Sequence, residues 1–218
     1  MAQFSKRRIA AGYLPDRYHY YYALSKLATD PLYAAVLQAF EKTREPLLDI
    51  GCGIGLLLQY LRARGVDAQY FGIDNDSIKI SMARSTAARK GLQRARFEVC
   101  DPAKTFPMHR GSVALLDVLQ FFERDVRDEL IANVAKSIAP QGKLVIRSGL
   151  EDNSWRANVS RAGDRFAYLA NWMRTSPKSQ PTRDELTQQL QLHGLKAEFR
   201  PLWGYTPFNN WLVVASRV

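Results

Sequence analysis

Cysteine is nearly absent from these 218 residues: only Cys52 and Cys100 occur, and they form no Cys-x-x-Cys pair. The three histidines, His19, His109 and His193, lie far apart in sequence, so neither a disulfide framework nor a zinc-ligand spacing can be assembled. Long apolar runs are lacking too. None approaches the roughly 20 residues of a membrane-spanning helix, and the opening Met-Ala-Gln-Phe-Ser-Lys-Arg-Arg has no apolar signal segment behind it. The expectation is a reduced, cytoplasmic protein with no metal site. Repeats and low-complexity tracts are also missing, which excludes fibrous and disordered classes. Acidic residues are in deficit: 21 Asp plus Glu against 31 Lys plus Arg leave a formal charge of +10. That imbalance suits nucleic acid, an anionic membrane surface or an anionic small molecule, or no more than a solvated basic surface.

What is present is ordinary globular material, 46% hydrophobic and 24% charged. A chain of this size buries roughly 70% of its unfolded surface without staples. The punctuation is that of alternating strands and helices. Asp30-Pro31 opens a helix carrying Leu32, Ala35, Val36, Ala39 and Phe40 at helical spacing. Strands are expected at 47–50, 69–74, 96–100, 113–116 and 143–148, and helices at 56–64, 77–90 and 126–138. Thr182 and Glu185 form a capping-box pattern for a last helix that stops at Gly194. Two final strands, about 196–202 and 210–217, have too short a connection for a parallel crossover and must pair antiparallel. Residues 1–45 read as a tyrosine-rich N-terminal appendage and first helix. Residues 46–218 read as the sheet domain, with an Arg- and Trp-rich helical insertion at about 152–181.

The most informative stretch is Leu47-Leu48-Asp49-Ile50-Gly51-Cys52-Gly53-Ile54-Gly55. Glycines at a strand end let backbone approach a ligand, and the next helix offers free N–H groups. The dinucleotide fingerprint fails because positions 56 and 58 are leucine, and no Gly-Lys-Ser/Thr follows to make a P-loop. Asp74 lies one helix and one strand beyond Gly51, so both return to the carboxyl edge of the sheet, where open α/β sheets bind ligands. A carboxylate there suits a vicinal diol, and Asp101 and Asp117 end the next two strands.

This stretch resembles the first motif of the class I S-adenosylmethionine-dependent methyltransferases. Phe71-Gly72-Ile73-Asp74, Phe97-Glu98-Val99-Cys100-Asp101, Leu115-Leu116-Asp117-Val118 and Ala139-Pro140-Gln141-Gly142 are similar, in register, to the family's second to fifth elements. The resemblance implies an α/β Rossmann-like fold with a seven-stranded, mostly parallel sheet of order 3-2-1-4-5-7-6, the last strand antiparallel, and helices on both faces. It implies S-adenosylmethionine as cofactor, held by Asp49, Gly51, Cys52, Gly53, Gly55, Asp74, Asn75, Asp101, Pro102, Asp117 and Val118. Among these, Asp74 is the expected ribose ligand and Asp101 the adenine ligand. Asp49 is expected either to orient the glycine loop or to touch the ligand.

The acceptor side is less legible. The Asn-Pro-Pro-Tyr of nucleic-acid amine methylases is replaced here by Asp117-Val118-Leu119-Gln120, and Gln120 stands where small-molecule members often carry histidine. Tyr205, in the loop leaving the penultimate strand, and His19, among the N-terminal tyrosines, are the candidate catalytic groups. The segment Gly204 to Trp211 is also similar to methyltransferases of bacterial aryl-polyene pigment pathways. The expected activity is methyl transfer to a small-molecule or carrier-bound acyl or aromatic acceptor, at oxygen. RNA methylation and a non-catalytic cofactor-binding module are the alternatives. The basic outer elements, among them Lys79, Arg84, Arg89, Lys90, Arg94 and Arg96, are expected to face an anionic acceptor, a carrier protein or a membrane surface.

Overall fold

The computed structural model describes residues 5–41, 43–152, 155–156, 178–204 and 208–218. Most of the expected insertion at 152–181 falls outside them, as does Tyr205. The chain begins with a short helix α1 (Lys6–Ala10), a 3-10 turn (Ala11–Tyr13), α2 (Arg17–Thr29) and α3 (Leu32–Phe40). Asp16 caps α2 by accepting from the His19 N–H at 3.1 Å. At the α2–α3 junction Asp30 accepts from the Leu32 N–H at 3.0 Å. Helix capping by a short carboxylate is what places both boundaries.

Strands and helices then alternate: β1 (Leu47–Ile50), α4 (Leu56–Ala63), β2 (Tyr70–Asp74), α5 (Ser77–Arg89), β3 (Ala95–Val99), β4 (Ser112–Leu116), α6 (Arg124–Ser137), β5 (Lys143–Gly149), α7 (Arg183–Leu192), β6 (Leu195–Pro201) and β7 (Asn210–Arg217). They form one sheet of order β3-β2-β1-β4-β5-β7-β6. β1 to β5 are parallel, while β7 pairs antiparallel with both β5 and β6, so β6 again runs with the parallel set. Expected strand boundaries move by at most about one residue at either end. The capping box of α7 is complete: Thr182 accepts from the Glu185 N–H at 3.2 Å, and Glu185 accepts from the Thr182 N–H at 2.9 Å.

Both sheet faces are covered, as the nearly complete burial of β1 and β4 requires. On one face Ile9, Tyr13, Leu27, Val36 and Phe40 of the N-terminal helices pack with Leu57 and Leu61 of α4 and Ile80 of α5. On the other, Leu130, Ile131 and Val134 of α6 join Leu186 and Leu190 of α7. The N-terminal helices are therefore part of the core layer.

The basic strip near α5 is largely exposed but mostly engaged with the chain itself. Arg84 donates to the Phe97 carbonyl at 3.0 and 2.6 Å. Arg89 reaches the Leu14 and Gly12 carbonyls at 2.8 and 2.9 Å, and Lys90 the Arg8 and Ile9 carbonyls at 3.1 and 2.9 Å. Arg96 lies 3.7 Å over the Phe71 ring, and Arg94 pairs with Asp67 at 3.6 Å. Of the six cations expected to face a partner, five fasten the chain to itself.

Candidate functional site

Parallel strands deliver their carboxyl ends to one edge, and there β1 turns into α4 through the glycine loop. Gly51 has φ 75° and Gly53 φ 54°, backbone that a side chain disfavours. A Cβ at Gly51 would strike the Val118 side chain, whereas one at Gly53 would meet nothing within 4 Å. The loop is thus packed behind and open in front. Asp74, at the end of β2, holds it: one carboxylate oxygen accepts from the Gly53 N–H at 2.9 Å and the other from the Asp76 N–H at 2.9 Å. Asp76 in turn caps α5 through the Ile78 N–H at 2.9 Å.

Asp49 is 2% exposed in the middle of β1 and accepts from the Tyr70 hydroxyl. Burial, with a smaller contribution from the charge of Asp74, pushes its carboxyl up to about 7, against the opposing effect of the Tyr70 hydrogen bond. Burial also pushes the Cys52 thiol up, which makes Cys52 a packing group and a poor nucleophile.

One cavity of about 680 Å³ opens along this edge. Its cofactor-side wall contains Asp49, Gly51, Cys52, Gly53, Asp74, Asn75, Asp101, Pro102, Asp117 and Val118. Ten of the eleven residues expected to hold the cofactor are thereby brought together. Gly55 is the exception: it starts α4 behind the loop, where a Cβ would press on Ala83 and Phe97 at 3.1 Å. The rest of the lining includes Tyr18, His19 and Tyr22 of α2, Phe121 and Phe122 after β4, and Lys178 before α7. His19 is in the cavity and its Nδ1 lies 2.7 Å from an Asp16 oxygen. Gln120 is outside the cavity lining; its carbonyl accepts from the Lys178 N–H at 2.8 Å, and its side-chain oxygen is buried with no hydrogen-bond partner among the described residues.

A charged link escaped the sequence reading. Arg147 of β5 is 7% exposed, and one guanidinium nitrogen lies 3.0 Å from Asp30 and 2.6 Å from Asp117. It joins the α2–α3 junction to the cavity edge, where Asp117 itself sits at φ 60°. The signal was an arginine directly after the apolar run Leu144-Val145-Ile146 in a central strand, since a buried guanidinium requires anionic partners. Tyr70 was likewise readable as the only hydroxyl in β2 for a carboxylate placed in the neighbouring strand.

A family model described as "Methyltransferase domain" matches residues 47–142, the segment that builds the glycine loop and all four aspartates. Over this segment and in its strand order the chain is similar to the class I S-adenosylmethionine-dependent methyltransferases. The chloroplastic tocopherol O-methyltransferase of Arabidopsis thaliana is 25% identical over 167 residues, covering 72% of this chain and 45% of that protein. Among solved structures, an O-methyltransferase family protein from Burkholderia thailandensis superposes with a TM-score of 0.69 at 20% identity, covering 98% of this chain and 63% of its own. Magnesium protoporphyrin IX methyltransferase of Synechocystis PCC 6803, solved with bound SAH, gives 0.66 at 16% identity, covering 86% and 82%. The chain spans about half or less of the length of the curated relatives it matches.

S-adenosylmethionine is the cofactor of this methyltransferase family, and the cavity fits it in three respects. Gly53 leaves open space at its Cβ position, the carboxylates of Asp74, Asp101 and Asp117 line the cavity for a ligand that carries sulfonium and ammonium charge, and Asp74 keeps unused lone pairs for a diol after accepting its two backbone bonds.

Proposed function

We propose that this chain is an S-adenosylmethionine-dependent methyltransferase that methylates an oxygen of a small aromatic or acyl acceptor. The observation that carries the reading is the continuity of the cavity: the aspartates and glycines line the same 680 Å³ as His19, Tyr18, Tyr22, Phe121 and Phe122. Its size lies inside the range of small-molecule sites. The cofactor supplies a methyl group already activated by the sulfonium. The protein's tasks are to hold that group, to orient an acceptor and to keep water out.

Asp74, Asp101 and the backbone at Gly51 and Gly53 hold the cofactor. Tyr18, Tyr22, Phe121 and Phe122 provide flat apolar walls for a ring or acyl chain. Asp16 accepts from His19 Nδ1–H, which leaves Nε2 with its lone pair as the group that removes the acceptor hydroxyl proton. Tyr205, the other candidate group, lies outside the described residues. Support for oxygen as the acceptor atom comes from the O-methyltransferases among the similar proteins.

Calorimetry with S-adenosylmethionine, followed by transfer of labelled methyl to a panel of hydroxylated aromatic acids, tests the proposal. Wild type is expected to bind, Asp74→Ala to lose binding, and His19→Ala to keep binding while losing about 10²-fold or more in kcat. Failure of the wild type to bind the cofactor refutes the reading. Binding without turnover on any hydroxylated acceptor refutes the oxygen assignment.

A further inference from the structure

We propose that the outer face of α2 docks on an anionic lipid surface, and that the cavity mouth it frames receives an acceptor carried in that surface. Leu14, Tyr18, Tyr21 and Tyr22 are 43%, 62%, 63% and 42% exposed. Tyr18, Tyr21 and Tyr22 recur at positions i, i+3 and i+4 on α2, so they share one side of the helix, while Ala23 and Leu27 of the same helix are buried in the core. Large side chains left in water together carry more information than exposed ones scattered singly. Tyr18 and Tyr22 are both exposed and both line the cavity, which puts this face at the cavity mouth. Ile78, 61% exposed in the first turn of α5, stands beside the cavity-lining Lys79.

Charge decides what covers the face. Residues 5–29 carry Lys6, Arg7, Arg8, Arg17 and Lys26 against the single acid Asp16, and that carboxylate is engaged by His19. Lys6, Arg7 and Arg8 of α1 are exposed, and α1 packs against α2. Tyrosine, with an apolar ring and a polar tip, suits the boundary between lipid and water, and cations beside it are drawn to anionic headgroups.

Aliphatic exposure argues for lipid over a nucleobase platform. Leu14 and Ile78 are 43% and 61% exposed and offer a base no face to stack on, while Tyr18 meets the His19 ring edge-on at 5.1 Å and lies near-parallel to Tyr22 with ring centroids 6.5 Å apart. The delivery of an acceptor rests on the proposed activity. The docking does not.

Co-sedimentation with vesicles of phosphatidylcholine alone, or of phosphatidylcholine with phosphatidylglycerol, tests the docking in the full chain. The wild type is expected to pellet with the anionic vesicles and to be released by salt. Arg7→Ala is expected to weaken partitioning about fivefold and Tyr21→Ser severalfold, with cofactor affinity by calorimetry unchanged in both. Absence of binding to anionic vesicles overturns the proposal. So does unchanged partitioning of Tyr21→Ser, which leaves the tyrosine face without a role, and so does an RNA gel shift at physiological salt that is lost in the same two variants. Loss of cofactor binding in the wild type would count against the proposed activity alone.

Discussion

Asp49 shows how far a single residue can be read. Its place before the glycines marks it as part of a ligand loop, but its protonation depends on the depth of β1 and on Tyr70, which enters through the β1–β2 register pairing Asp49 with Gly72. A carboxyl held near 7 in the fold and near 4 in the unfolded chain binds more protons when folded across that interval, so it stabilises the fold at low pH and loses that contribution as pH rises through about 7. Asp49→Asn keeps an acceptor for the Tyr70 hydroxyl and cannot ionise. The stability of wild type relative to Asp49→Asn is therefore expected to fall between pH 4 and 7 by up to about 4 kcal/mol, read as the difference between two denaturant titrations. A constant difference across that range would remove the buried-proton account. Gly51→Ala is expected to be more damaging than Gly53→Ala to cofactor affinity: both strain the backbone, but only the first also collides with Val118. Calorimetry on the two variants makes the comparison.

The elements themselves were largely legible, because period, caps and glycine stops agreed with one another over 47–149. The role of the N-terminal helices was not. Their tyrosines suggested an appendage outside the sheet, whereas Ile9, Tyr13 and Leu27 belong to a core layer and Tyr13 donates to the Ile54 carbonyl of the glycine loop at 3.2 Å. Sequence distance hid this, since the partners are 41 residues apart. The same holds for Arg89 and Lys90, whose charges looked outward-facing and instead grip carbonyls more than 70 residues away. Replacing both by alanine is expected to speed amide exchange over residues 5–16 by at least about tenfold while α6 and α7 keep their protection. Uniform acceleration across the whole chain would mean that the pair supports global stability and is not a local fastener.

At the scale of the molecule, the +10 charge divides into functions that composition could not separate: aspartates around the cofactor wall, cations bonded to the chain's own carbonyls and carboxylates, and exposed cations on the N-terminal helices. Two of the internal ties connect the N-terminal layer to the cavity, Tyr13 to Ile54 and Asp30 through Arg147 to Asp117. Removing Arg147 leaves two aspartates facing a buried site without their cation, so Arg147→Met is expected to cost about 3 kcal/mol, measured by denaturant unfolding. The same ties give the layer a stake in ligand binding. A cofactor present at about 100 times its dissociation constant adds roughly 2.7 kcal/mol to the folded state, and amides whose opening breaks the site share that protection. Slowed exchange is therefore expected in α1 and α2 of the wild type as well as at 51–55, 74–76 and 117–118. Tyr13→Phe, which removes one tie and keeps the ring, is expected to bind the cofactor with the loop protected and the α1–α2 protection reduced. If cofactor slows exchange only at the sheet edge in the wild type, the N-terminal layer is a passive cover and the two ties transmit nothing.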